Sequence, residues 1–103
     1  MVVTAPQDID HAADAARLVV RTHEALVDFL RAGQTLAEID AFVAKTLAAM
    51  DSKSAFYRYK IPGHPPYPSH ACLSPNACIV HGTHNMTDAP LEPGDLISID
   101  IGV

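Results

Sequence analysis

Two short stretches carry the side chains with the greatest chemical reach. His81 precedes Gly82 at the end of Cys78-Ile79-Val80, and Asp100 stands inside Leu96-Ile97-Ser98-Ile99-Asp100-Ile101. A carboxylate set among isoleucines is costly to bury in its charged form unless something meets it. Three readings stay open for Asp100. It pairs with a nearby donor, it ends its strand facing water, or it ligates a divalent cation, a role that suits a carboxylate on a rigid strand. His81 and His84, three residues apart around a turn, are the candidate co-ligands. Two imidazoles and one carboxylate would make a three-ligand centre. The other titratable groups read more plainly. His11 and His23 read as solvated or edge-packed helix histidines, and Glu24 with Asp28 as a solvated acidic face.

These residues need a scaffold, and the first half of the chain supplies it. Thr4 with Gln7 fits a capping box, and Pro6 suits a first helical turn. Ile9, Ala12, Ala13, Ala16, Val19, Val20, Leu26, Val27 and Leu30 then recur at three- and four-residue steps, predicting an amphipathic helix of about six turns closed by a left-handed Gly33. Thr35 and Glu38 form a second capping box. Leu36, Ile39, Phe42, Val43, Leu47 and Met50 make the stripe of the helix it opens, which Asp51 to Ser54 end.

The second half reads as strands and turns. Ala55 to Lys60 alternates aromatic and polar residues and predicts a half-buried strand. Ile61 to Pro68 holds four prolines and Gly63, so it is a loop, of a kind that shapes pocket walls. His70 to Ser74 and Cys78 to Val80 are expected as two strands joined at Pro75-Asn76. Pro93-Gly94 signals a type II turn. It leads into a strand whose Ile97, Ile99 and Ile101 share one face while Leu96, Ser98, Asp100 and Gly102 share the other.

Composition bounds the function. One hundred and three residues, 49% hydrophobic and 18% charged, suit one globular domain, with a helical part over 4–50 and a strand part over 55–103. A net charge of −5 without a basic cluster speaks against nucleic acid or an anionic membrane as partner. No apolar run approaches the roughly 18 residues of a membrane span. The opening residues lack a signal-peptide pattern, and two cysteines make no disulfide framework. A cytoplasmic location is expected.

Several runs, in order, resemble a known family. Arg31-Ala32-Gly33-Gln34-Thr35-Leu36-Ala37-Glu38-Ile39-Asp40, then Tyr67-Pro68-Ser69-His70-Ala71-Cys72-Leu73-Ser74-Pro75-Asn76, then Val80-His81-Gly82, then Leu91 to Val103 are similar to the N-terminal part of the type I methionine aminopeptidases, in metallopeptidase family M24. The resemblance implies an α/β (α+β) chain, the N-terminal half of a pita-bread (creatinase/aminopeptidase-like) fold, with two helices followed by antiparallel strands. It implies two divalent metal ions (Co, Mn, Fe or Zn) in a complete site, and the N-terminal methionine of nascent proteins as substrate. Asp100 then matches the first metal-ligand aspartate, His81 a substrate-contacting histidine, and Tyr67 and Cys72 the walls of the methionine side-chain pocket. Ala77 and Thr83-His84 depart from the family pattern, which has glutamate and Ile-Pro there, so a remodelled loop is expected. The other ligands of the pattern fall beyond Val103. The 103 residues alone are therefore expected to be an inactive fragment of low stability, completed by a missing C-terminal half or by self-association. The alternative is a degenerate half-fold that binds peptides or proteins without cleaving them.

Overall fold

A computed structural model describes residues 2–103. The order of elements is helix α1 (Pro6–Phe29), helix α2 (Leu36–Ala49), strand β1 (Cys72–Pro75) and strand β2 (Ile97–Asp100). The helices cover one face of the antiparallel β1–β2 pair.

α1 starts differently from expectation. Its N-cap is Ala5 and no side chain caps it, so the Thr4–Gln7 box does not form; Pro6 alone sets the first turn. Its end differs too. The C-cap is an extended Leu30, and Gly33, although left-handed at φ +92°, lies in the following turn. There the Gly33 N–H donates to the Leu91 carbonyl, and Leu91 N–H donates back to that of Gln34. Gly33 thus ties the helix–helix loop to the segment before β2. Only Thr22 and Leu26 of α1 are buried, while Ile9, Val20 and Val27 are at least half exposed, so the apolar stripe meets the core only near its C-terminal end.

α2 follows its sequence closely. Thr35 Oγ1 accepts from Glu38 N–H and the Glu38 carboxylate accepts from Thr35 N–H, a reciprocal box that satisfies two orphan donors. Leu36, Ile39, Val43 and Leu47 are buried on one side. They join Leu26, Ala71, Leu73 and Ile101 in the core. Phe29 stacks on Phe42 at 3.9 Å between ring centres and closes the helix pair.

The strand half differs from expectation in two places. Ala55 to Lys60 is a run of bends and turns, because Arg58 adopts φ +64° and its N–H reaches the Tyr67 carbonyl. Cys78 to Val80 is no strand either. Asn76 turns left-handed at φ +49°, Cys78 N–H closes on the Pro75 carbonyl, and Ile79 and Val80 end up exposed. β1 pairs instead with β2, Cys72 opposite Asp100, Leu73 opposite Ile99, Ser74 opposite Ser98 and Pro75 opposite Ile97. The expected alternation in β2 holds: Leu73, Ile97, Ile99 and Ile101 pack toward the helices, whereas Ser98 and Asp100 are exposed on the opposite face. His23 of α1, half-buried, brings Nε2 to 3.2 Å from the Ile99 carbonyl and Nδ1 to 3.0 Å from that of Val19, linking α1 to the free edge of β2.

Candidate functional site

The β1–β2 register decides where the chemistry gathers. Directly opposed residues of an antiparallel pair project to the same face, so Cys72 and Asp100 stand side by side on the side away from the helices. The proline-rich loop folds back over that face. Tyr67 N–H donates to the Tyr59 carbonyl, and Phe56 meets the Tyr67 ring edge-on at 6.5 Å and 88°. Together these elements enclose a cavity of about 360 Å³ whose lining includes Phe56, Ile61, Tyr67, Cys72, His81 and Asp100. The four residues singled out from the sequence thus share one cavity.

His81 reaches it by a strained turn. Its φ of +60° is uncommon for a residue with a side chain and persists only where the surroundings over-determine it. Gly82 provides that anchor. Its N–H donates to Ser74 Oγ at 3.0 Å, and its carbonyl accepts from Leu73 N–H and from the Tyr67 hydroxyl, each at 2.8 Å. A Cβ at position 82 would lie 2.0 Å from the Leu73 carbonyl oxygen. Only glycine brings the backbone this close.

The cavity is chiefly apolar and its phenol stays protonated. Burial pushes the Tyr67 hydroxyl well above its ordinary range, and the Cys72 thiol and the carboxylates of Asp40 and Asp100 push in the same direction. Tyr67 therefore offers a ring and a committed donor. Asp95 lies outside the cavity. It accepts from Glu92 N–H and Asn76 Nδ2, bonds that hold its carboxyl below the usual carboxylate range and fasten the turn before β2.

The structure does not assemble the three-ligand cluster of His81, His84 and Asp100. His84 turns away from the cavity and places Nδ1 2.8 Å from Ser69 Oγ. No group of three His, Cys, Asp or Glu side chains among the described residues is arranged to hold a metal ion.

One residue with a central role stood at the end of a family-like run but was given no role from the sequence. Asp40, 5% exposed, accepts from the backbone N–H groups of His70 and Ala71 at 2.8 and 3.0 Å, and lies 3.0 Å from His70 Nδ1. It fixes the two residues that lead into Cys72. The signal lay in the helical wheel, since Asp40 is four residues after Leu36 and three before Val43, on the buried face.

Known proteins share this arrangement of elements. The model of metallopeptidase family M24 matches residues 10–103. The chain belongs to family M24. A methionine aminopeptidase of Chlamydia trachomatis is 30% identical over 101 residues, which cover 98% of this chain and 33% of that protein. Methionine aminopeptidase 1 of Bacillus subtilis is 29% identical over 97 residues, covering 94% and 36%. The crystal structure of the Rickettsia prowazekii methionine aminopeptidase superposes with a TM-score of 0.86 at 23% identity, and that from Thermotoga maritima with 0.85 at 22%; each match covers 98% of this chain and 38% of the other. The fold is the corresponding part of the α/β pita-bread architecture. The chain spans about a third of the length of the curated relatives it matches.

Family M24 implies divalent metal. Among the residues lining the cavity, His64, Cys72, His81 and Asp100 have donor chemistry, and Asp100 is the carboxylate among them, but no three of these side chains come together as a centre. The described residues fit a contribution to a metal site and not a whole one.

Proposed function

We propose that this chain forms the methionine side-chain pocket and supplies one metal-ligand carboxylate of a methionine aminopeptidase, an enzyme that removes N-terminal methionine from proteins. The convergence of Tyr67, Cys72, His81 and Asp100 on one cavity carries this reading. A thioether is polarizable and apolar, and it suits a wall of aromatic ring edges and a thiol. The protonated Tyr67 keeps charge out of that wall. His81, presented on its rigid turn, stands where an imidazole can hydrogen-bond the substrate backbone, and Asp100 is the one carboxylate in the lining.

A single carboxylate sets the second part of the reading: the 103 residues by themselves bind and do not hydrolyse. The same observation favours the alternative of a peptide-binding half-fold. Calorimetric titration with Mn²⁺ or Co²⁺ of the chain and of Asp100→Ala tests the point. The reading expects no tight saturable binding in either. Tight binding that Asp100→Ala abolishes would show that the chain completes a metal site on its own or through a second copy, and would overturn it.

A further inference from the structure

The backbone strain at His81 demands support on both sides, and the support on its C-terminal side is a pair of residues that the reading above leaves unused. Ser69 is fully buried, and its hydroxyl accepts the His84 backbone N–H at 2.8 Å. The same oxygen lies 2.8 Å from His84 Nδ1. One hydroxyl therefore meets one residue twice, accepting from the main chain and sharing a hydrogen bond with the ring. Asp40 Oδ2 is 3.9 Å from His84 Nδ1, beyond hydrogen-bond reach, and is already engaged with His70. Ser69 itself cannot drift, because the next two residues are held by Asp40 on α2.

We propose that Ser69 and His84 are positioning residues for His81. The line of contacts runs from α2 through Asp40 to His70 and Ala71, from the adjoining Ser69 to His84, and so to the far end of the His81-Gly82 turn. Gly82, held by Leu73, Ser74 and Tyr67, fixes the near end. With both ends pinned, His81 stays left-handed and its imidazole stays at the cavity. The inference deepens the reading of His81 as a substrate-side residue and rests on it, but its test uses no substrate, so the two fail separately.

We take the Ser69 hydroxyl as the donor to the ring, since its other contact is made as an acceptor. If Ser69 donates to Nδ1, the neutral ring of His84 carries its proton on Nε2. Nitrogen-15 NMR of the histidine rings in the unaltered chain reads this directly. The variants His84→Ala, Ser69→Ala and His84→Asn follow, with a melting curve for each and residue-resolved mass spectrometry of imidazole acylation at His81. Asparagine keeps a side-chain acceptor near the place of Nδ1. His84→Ala and Ser69→Ala are expected to shift the His81 ring resonance and to speed its acylation roughly fivefold, the population change that follows from losing one net hydrogen bond. His84→Asn should stay close to the unaltered chain. Proton on Nδ1 of neutral His84, an unmoved His81 signal in folded His84→Ala, or His84→Asn behaving like His84→Ala would each overturn the proposal. The side chain of His84 is about a third exposed, so His84→Ala keeps the test alive if Ser69→Ala fails to fold.

Discussion

Replacing Gly82 with alanine is the sharpest perturbation of this architecture. The added methyl carbon would meet the Leu73 carbonyl oxygen at 2.0 Å, the Leu73 carbonyl carbon at 2.7 Å and Ser74 Cα at 3.0 Å. All three are backbone atoms of β1 and cannot turn aside as a flexible side chain could. The turn must lift, and lifting it breaks three hydrogen bonds: to Ser74 Oγ, from Leu73 N–H and from the Tyr67 hydroxyl. At about 1 kcal/mol net for each, the loss is about 3 kcal/mol, offset by up to about 1 kcal/mol as His81 relaxes from its left-handed backbone. A net cost of about 2–3 kcal/mol lowers Tm by roughly 8–24 °C in a domain of this size. Gly63→Ala is the control. Gly63 is left-handed at φ +82°, but a methyl group added there would have nothing within 4 Å of it, so only the dihedral penalty of about 1 kcal/mol applies. Urea and thermal unfolding of the chain and both variants, read by circular dichroism, give the two costs. If Gly82→Ala melted within about 2 °C of the unaltered chain, or cost no more than Gly63→Ala, the account of how His81 is held would be wrong.

Other expectations follow from the same contacts. Asp40→Ala removes the acceptor for two backbone N–H groups and one imidazole in a buried setting, and is expected to cost about 3–4 kcal/mol by urea titration. Thr35→Ala should cost about 1 kcal/mol through the lost cap, whereas Thr4→Ala, whose side chain caps nothing, should change stability by less than about 0.5 kcal/mol. The raised Tyr67 pKa means that the folded state retains a proton the unfolded chain gives up, so its contribution is intact below pH 10 and declines as pH rises past that value. The stability difference between the chain and Tyr67→Phe should therefore narrow above pH 10; a difference independent of pH would contradict the assignment.

Much of this was legible from local signals. The Thr35–Glu38 box and the two faces of Ile97 to Ile101 depend on residues a few positions apart, and both form as read. His81 and Asp100 stood out by residue type, but Tyr67 and Cys72 were legible only through motif resemblance, since Cys72 meets Asp100 by strand pairing and Tyr67 reaches the cavity from the loop. That pairing is where local reading stopped. Cys78-Ile79-Val80 has the β-branched composition of a strand, but Asn76 turns the chain away and β1 finds its partner in β2. Strand propensity describes fit to a half-buried surface and does not name the neighbour. Ala55 to Lys60 failed for a related reason. Its aromatic residues serve separate contacts, Phe56 against Tyr67 and Tyr57 stacked on His70 at 4.1 Å, and Arg58 breaks the extended backbone directly after them. Thr4 carried a capping pattern without a cap because Pro6 sets the helix start unaided.

The central proposal is that Tyr67 and Cys72 wall a methionine side-chain pocket in the cavity they share with His81 and Asp100. It is tested most directly by titrating the isotope-labelled chain with two tripeptides that differ only in an N-terminal methionine or alanine, and following backbone and side-chain shifts. The account predicts shifts centred on Tyr67 and Cys72 and a preference for methionine of about 10- to 100-fold, the share of affinity that burying its side chain supplies. Equal binding of the two peptides, or shifts that leave the cavity residues unmoved, would contradict it.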